Sequence, residues 1–195
     1  NMPAKKSLAM LLGSVLSLAS TQLMAAPTGS MLGNTCAGCH GTNGVSTGPA
    51  APTIAGKSAI YIQDVMAAYK SGDRHCTIMG RIAKGYTDEE IKAMSEFYAA
   101  LPYVSAADKQ KFDADKIKQG SKLYKKNCSK CHDENGSLPD DDAGILAGQW
   151  LPYLQYTMED YRGGRSEMTK KMKKKVDKLN DDQIEALLQF FASQK

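Results

Sequence analysis

The sequence lacks most features that identify an enzyme or a nucleic-acid-binding protein. No glycine-rich turn of the dinucleotide-binding type is present, and no catalytic triad or carboxylate pair has an interpretable spacing. It has 25 Lys and Arg residues and 21 Asp and Glu residues. This near-balance of charge argues against nucleic acid as a partner. We therefore expect no substrate chemistry on this chain by itself.

Long hydrophobic runs are also lacking, except for one near the N-terminus. Lys5 and Lys6 precede an apolar stretch from Leu8 to Ala19, and small residues follow at Met24-Ala25-Ala26. This order is typical of a secretory signal peptide, which we assign to residues 1–25. The stretch is too short to span a bilayer, and no later segment is long and apolar enough. We expect an exported protein with no membrane span.

Strand-like alternation of useful length is missing, whereas helical periodicity recurs throughout the chain. The clearest predicted helix runs from Ile117 to Cys128. Gly120 lies within it, and the absence of a side chain there favours the close approach of another helix. The sequence therefore predicts an all-α fold.

The sequence does contain one distinctive motif, and that motif occurs twice. It reads Cys36-Ala37-Gly38-Cys39-His40 and again Cys128-Ser129-Lys130-Cys131-His132. On a helix, residues at i, i+3 and i+4 share one face. Two thiols can then bond covalently to the vinyl groups of a haem while the imidazole coordinates its iron, so this spacing is typical of c-type haem attachment. Two motifs predict two covalently bound haem c groups.

Zinc binding and thiol redox chemistry are the competing interpretations of the cysteines. Paired Cys-x-x-Cys zinc motifs are about 15–20 residues apart, whereas 88 residues separate Cys39 from Cys128. Neither alternative predicts a histidine directly after both pairs. The sequence favours haem.

The similarity between the two halves extends beyond the motifs. An offset of 92 residues aligns Ile54-Ala55-Gly56 with Leu146-Ala147-Gly148 and Tyr61-Ile62-Gln63 with Tyr153-Leu154-Gln155. Beyond a one-residue insertion near residues 164–167, an offset of 93 aligns Phe97-Tyr98-Ala99 with Phe190-Phe191-Ala192. These matches indicate an internal duplication.

Capping signals mark the start of the last helix in each half. Thr87 with Glu90, and Asn180 with Gln183, have the spacing of a capping box. We expect a terminal helix to begin after each of these N-caps.

We divide the mature chain into two domains on this basis. The first covers residues 26–103 and the second covers 114–195, joined by a polar, alanine- and lysine-rich surface linker at 104–113. A domain of about 80 residues has a thin apolar core. One haem enclosed in each domain would complete that core.

The second axial ligand of each iron is predicted from the repeat. Met79 lies 39 residues after His40, and Met172 lies 40 residues after His132. Each precedes the predicted N-cap of a terminal helix by eight residues. A thioether is a common axial ligand that raises the reduction potential. We therefore predict His/Met ligation in both domains, with Met168 as the competitor of Met172.

His75 and Cys76 are the histidine and the cysteine that lie outside the two motifs. His75 could replace Met79 as a ligand, but the second half has no matching histidine, which favours a surface or supporting side chain. Cys76 is interpreted as an inert thiol, with a redox-active thiol as the alternative.

Several segments give the chain a more specific resemblance over about 27–195. It resembles the tandem dihaem cytochromes c, and among them the cytochrome subunits of flavocytochrome c sulfide dehydrogenases. The resemblance rests on the haem motifs with Met31-Leu32, Gly48-Pro49-Ala50, the stretch from Thr77 to Tyr86, Ile145-Leu146-Ala147-Gly148-Gln149-Trp150, and Pro152-Tyr153-Leu154-Gln155-Tyr156.

The resemblance implies a role in a periplasmic heterodimer. A separate FAD-containing flavoprotein would oxidise sulfide and pass electrons singly to these haems, which would pass them to a small redox acceptor protein. It also implies a pseudo-twofold relation between the domains. Pro49 and Pro139 would offer backbone carbonyls to the axial histidines.

Two alternatives remain open at this point. The chain could be a free-standing dihaem carrier that shuttles electrons to a terminal oxidase or reductase. An enzyme with an open haem iron is disfavoured, because both irons have a predicted sixth ligand.

Five lysines around Met172 have two interpretations. They are a solvated face or an electrostatic docking site for an acidic redox partner. The residues are Lys170, Lys171, Lys173, Lys174 and Lys175.

Overall fold

The computed structural model describes residues 26–195, and the predicted signal peptide at 1–25 lies outside them. Within this range the regular structure is helical and contains no β-strand, which confirms the all-α prediction. Nine α-helices are present. They are α1 (Gly29–Asn34), α2 (Ala37–His40), α3 (Ala59–Ser71), α4 (Met79–Ala83), α5 (Asp88–Ala99), α6 (Ala114–Asn127), α7 (Leu151–Arg162), α8 (Lys170–Val176) and α9 (Asp181–Ala192).

Both predicted capping boxes are formed. The Thr87 side chain accepts a hydrogen bond from the Glu90 amide, and the Glu90 carboxylate accepts one from the Thr87 amide. Asn180 and Gln183 make the same reciprocal pair at the start of α9. Each box satisfies two amides that the first helical turn leaves free.

The two halves pack in parallel ways. Helix α1 packs on α5, and α6 packs on α9. A Cβ atom added to Gly120 would lie 2.1 Å from the Ala186 carbonyl oxygen, and one added to Gly29 would lie 2.2 Å from the Ala93 carbonyl oxygen. The predicted close helix approach at Gly120 is therefore confirmed, and the first half repeats it.

Each half has its own apolar cluster. The first is centred on Ile62, Met66, Ala83, Ile91 and Tyr98. The second is larger and contains the aromatic side chains of Tyr124, Phe190 and Phe191, with Leu154, Val176, Ile184, Leu187, Leu188 and Ala192.

Reciprocal hydrogen bonds join the halves. Gln149, which is fully buried, accepts from the Thr53 amide at 3.1 Å and donates to the Thr53 carbonyl at 2.7 Å. Lys57 donates through Nζ to the Ile145 carbonyl at 3.0 Å. The 92-residue offset places Gln149 opposite Lys57 and Ile145 opposite Thr53, so the second bond is the counterpart of the first. This reciprocity is what a pseudo-twofold relation produces.

The segment at 104–113 is anchored rather than loose. Ala106 and Ala107 are buried, and the Ala106 amide donates to the Gly148 carbonyl at 2.7 Å. The Gln110 side chain accepts from the Leu151 amide and donates to the Gln149 carbonyl. These contacts hold the segment against the start of α7.

Candidate haem sites

The first Cys-x-x-Cys-His motif occupies one helical turn. The His40 amide donates to the Cys36 carbonyl at 2.9 Å, which is the i to i+4 bond of an α-helix. Cys36 is half-buried and Cys39 is exposed. One turn therefore holds two thiols and an imidazole next to each other.

The second motif has the same turn. The His132 amide donates to the Cys128 carbonyl at 3.0 Å, and the Cys131 amide donates to the same oxygen at 3.1 Å. Cys128 is half-buried and Cys131 exposed, as in the first half. The two motifs are therefore locally equivalent.

Of the two predicted axial histidines, His40 is buried and His132 is half-buried. His40 is 9% exposed, and burial lowers the pKa of its imidazole while the backbone hydrogen bond to Pro52 opposes the shift. Burial likewise lowers the pKa of His132, against the raising effect of Asp140. Both rings are thereby held in the neutral form, which is the form that binds metal.

The second nitrogen of each ring differs between the halves. Nδ1 of His40 lies 2.8 Å from the carbonyl oxygen of Pro52, so the expectation of Pro49 as partner was wrong. The Ser46 hydroxyl donates a hydrogen bond to the Ala51 carbonyl and accepts one from the Gly48 amide. This loop turns the carbonyl of Pro52 towards the ring.

His132 has no such partner. Its Nδ1 atom is buried and has no hydrogen bond within 26–195, so Pro139 does not fill the role that the resemblance implied for it. The ring instead meets Phe191 edge to face, with centroids 5.9 Å apart. The backbone carbonyl of His132 accepts a hydrogen bond from the Tyr124 hydroxyl at 2.8 Å.

The predicted methionine ligands lie against the same clusters as the thiols. Cys36 and Met79 both pack on the first cluster, and Met79 is the first residue of α4. Cys128 and Met172 both pack on the second cluster, but so does Met168. Met172 lies inside α8, whereas Met168 precedes the N-cap Thr169. The structure thus brings either methionine to the second site.

The donor set fits covalent haem. Each half combines two unpaired thiols, a neutral imidazole that is buried in the first half and half-buried in the second, and a half-buried thioether around an apolar cluster. In 26–195, no group of three or more His, Cys, Asp or Glu side chains is arranged to hold a metal ion, so the two Cys-x-x-Cys pairs do not build a zinc site together. A porphyrin needs only the imidazole and thioether as protein ligands to its iron.

Some features of these sites were not predicted from the sequence. Pro52 was missed because every residue has a backbone carbonyl, so the sequence does not show which carbonyl contacts His40. The interface residues Lys57 and Gln149 were missed because each resembles an ordinary polar loop residue. Their pairing under the 92-residue offset was the signal that could have identified them.

Comparison with known proteins agrees with this arrangement. A family model described as cytochrome c matches residues 28–101 and again 117–195. The cytochrome subunit of sulfide dehydrogenase from Chlorobaculum tepidum is 48% identical over 73 residues, which cover 37% of this chain and 66% of that relative. The chain thus spans just under two thirds of that relative's length.

Other relatives match over both halves. Cytochrome c4 from Thiocapsa roseopersicina is 28% identical over 167 residues, covering 80% of this chain and 84% of that protein. The crystal structure of reduced recombinant cytochrome c4 from Pseudomonas stutzeri superposes with a TM-score of 0.74 at 22% identity, covering 87% of this chain and all of that one. This last similarity concerns the fold.

Proposed function

This chain belongs to the cytochrome c family, and from that premise we propose that it is the haem subunit of a sulfide-oxidising flavoprotein complex. Its general role follows from the family: it is an electron-transfer protein with dihaem relatives. A haem iron supplies a one-electron couple. Substrate chemistry would belong to the partner, and this chain would not be an enzyme on its own.

We assign the cofactor-holding residues half by half. Cys36 and Cys39 would hold the first haem covalently, with His40 and Met79 as axial ligands. The burial of His40 keeps the ring neutral, and its bond to Pro52 orients it, as supporting hydrogen bonds do at metal sites.

The second half uses equivalent residues. Cys128 and Cys131 would hold the second haem, with His132 and Met172 as axial ligands. The observation that carries both assignments is the equivalence of the two turns and their apolar clusters.

The flavoprotein partner is proposed from the sulfide dehydrogenase relative. Identity of 48% to a cytochrome subunit is well above the 27–29% found for the cytochromes c4. We propose that an FAD-containing subunit donates electrons to this chain in the periplasm. A small redox protein would then accept them.

A free-standing dihaem carrier is the second candidate. It is supported by the coverage of the cytochrome c4 relative, which matches 80% of this chain, whereas the sulfide dehydrogenase subunit matches 37%. In this case the acceptor would be a terminal oxidase or reductase.

Purification from the native periplasm separates the two candidates. We expect a flavin-bearing chain to co-purify, and sulfide to reduce the haems only when that chain is present. Haem reduction by sulfide without the partner, or a chain that purifies alone and is oxidised by membranes rich in terminal oxidase, would support the second candidate. Sequencing the N-terminus of the periplasmic protein tests the proposed signal peptide.

In 26–195, no helix has the length and apolarity that crossing a bilayer requires.

A further inference from the structure

Two cationic side chains from the first half lie where the halves meet, Lys57 buried and Arg74 half-buried. Lys57 is 5% exposed, and its Nζ donates to the Ile145 carbonyl while lying 5.3 Å from the centroid of the Tyr61 ring. Arg74 lies with its guanidinium carbon 5.3 Å from the centroid of the Tyr69 ring. Across 26–195, neither side chain lies within 4.0 Å of a carboxylate oxygen. A buried cation without a countercharge, such as Lys57, is costly.

Tyrosines from both halves lie within electrostatic range of Arg74. They are Tyr61, Tyr69, Tyr153 and Tyr161. These are two pairs that the 92-residue offset relates, Tyr61 with Tyr153 and Tyr69 with Tyr161. Burial raises the pKa of Tyr61 to about 12, so its hydroxyl keeps its proton and can donate a hydrogen bond. The site therefore offers donors but no negative charge.

The adjacent cleft has the same character. It has a volume of about 320 Å³ and is lined by Tyr69, Arg74, His75, Arg81 and Lys84, with no Asp or Glu in its wall. Cationic walls of this kind attract anions.

The duplication shows that packing does not require these charges. Gln149 occupies the position of Lys57 and satisfies both backbone groups of Thr53 as a neutral amide. Ser166 falls opposite Arg74 and accepts a hydrogen bond from the His75 amide at 3.0 Å. The first half thus places two cations where the second half uses neutral side chains for the same interface.

We propose that Lys57 and Arg74 form a carboxylate-binding site at the domain interface, and that its occupant is a propionate of a covalently bound haem. This inference rests on the proposed haem attachment, because each haem brings two carboxylates into the protein. The tyrosine hydroxyls complete the set of donors. Both cations come from one half, so the electrostatic environment of the two haems is unequal.

Lys57 also provides a way to detect whether the site is occupied. Without an anion, burial and then the charge of Arg74 lower the pKa of Lys57 to about 7. A carboxylate beside Lys57 favours the charged ammonium and raises this pKa again. The groups facing Lys57 are Arg74, which stays charged, and Tyr61, whose raised pKa keeps its hydroxyl neutral below pH 9. An occupied site therefore gives no Lys57-dependent transition near neutral pH.

The test compares the holoprotein with Lys57→Gln, Arg74→Gln and the control Lys92→Gln. Lys57→Gln copies Gln149, so a glutamine is known to fit the equivalent position. Lys92 is 60% exposed on α5, and its replacement removes the same charge from the surface. Two covalent haems and an unchanged helical circular dichroism spectrum establish that each variant has folded.

The main readout is infrared spectroscopy of haem carrying ¹³C-labelled propionates. We expect the carboxylate stretch to shift in Lys57→Gln and Arg74→Gln but not in Lys92→Gln. Removing a nearby cation should also favour the oxidised form of one haem about tenfold, which corresponds to about 59 mV for one electron. Carboxylate bands and potentials that match those of Lys92→Gln in both variants would overturn the proposal.

Two further outcomes would also contradict it. If the potential of the wild type changes near pH 7 and Lys57→Gln removes that change, Lys57 has no carboxylate partner. If inorganic phosphate raises the melting temperature of the wild type but not of Lys57→Gln, while the propionate bands stay unmoved, the site takes an anion from solution. Haem content and flavoprotein co-purification are measured separately, so failure here leaves the proposed function intact.

Discussion

Nδ1 of His40 lies 2.8 Å from the carbonyl oxygen of Pro52, twelve residues further along the chain. The equivalent nitrogen of His132 is buried and has no hydrogen-bond partner in the described part of the second half. The two duplicated sites thus differ in a contact that would orient the proposed axial histidine and increase its basicity.

This difference should be visible by NMR of the reduced protein labelled with ¹⁵N-histidine. We expect the Nδ1 proton of His40 to appear further downfield than that of His132, because it is hydrogen-bonded to a carbonyl. Spectra of Met79→Ala and Met172→Ala assign the signals to their halves. Identical shifts for the two rings would show that the asymmetry does not exist in solution.

The sixth ligands can be tested one half at a time. We expect Met79→Ala and Met172→Ala each to keep both haems attached but to lose about half of the charge-transfer absorbance of methionine-ligated ferric haem. Met168→Ala is the control, because Met168 packs on the same cluster as Met172. Loss of the band in Met168→Ala, with an intact band in Met172→Ala, would transfer the assignment.

The contact between α6 and α9 depends on the missing side chain of Gly120. A Cβ atom there would lie 2.1 Å from the Ala186 carbonyl oxygen and 2.6 Å from Cβ of Phe190. Gly120→Ala should therefore lower the free energy of unfolding by about 2 kcal/mol through overpacking. Denaturant unfolding measures this, with exposed Lys122→Ala on the same helix as control. Equal stability of the two variants would mean that the helices separate without cost.

The fully buried side chain of Gln149 should hold the halves together. Gln149→Ala leaves the Thr53 amide and carbonyl without their partner, which costs about 2 kcal/mol. We expect a lower melting temperature and a larger radius of gyration by X-ray scattering. Gln63→Ala is the control, since Gln63 donates only within its own helix, to the Ala59 carbonyl. A compact, fully stable Gln149→Ala protein would exclude this role.

If the lysines on α8 form a docking site, they should increase the rate of electron transfer to the acceptor protein. All five are exposed, and one of them, Lys173, pairs with Asp177. Changing Lys170, Lys171, Lys174 and Lys175 to Gln should slow electron transfer to an acidic acceptor at low salt and weaken its dependence on ionic strength. The matched control changes the exposed residues Lys118, Lys122, Lys125 and Lys126 of α6. Rates that do not depend on salt in any of these proteins would identify the lysines as a solvated face.

Predictions from the sequence were confirmed where the interaction is short in range. The capping boxes at Thr87 and Asn180 join residues three positions apart, so their pattern is visible in the sequence. Gly120 was recognisable because it interrupts one face of a predicted helix. Pro49 was wrong as the histidine partner, because the path of a loop decides which carbonyl reaches a ring.

The helical fold, the duplication and the two Cys-x-x-Cys-His turns follow from the amino-acid sequence, because they depend on side chains within about one helical turn or on a visible repeat. The contacts between distant parts of the chain do not. Gln149 and Thr53 are 96 residues apart, and Lys57 and Ile145 are 88 apart. Such contacts form only when two folded halves meet, and they involve backbone groups that every residue has. For the same reason only the structure showed the unequal histidines, the buried Lys57 and the half-buried Arg74.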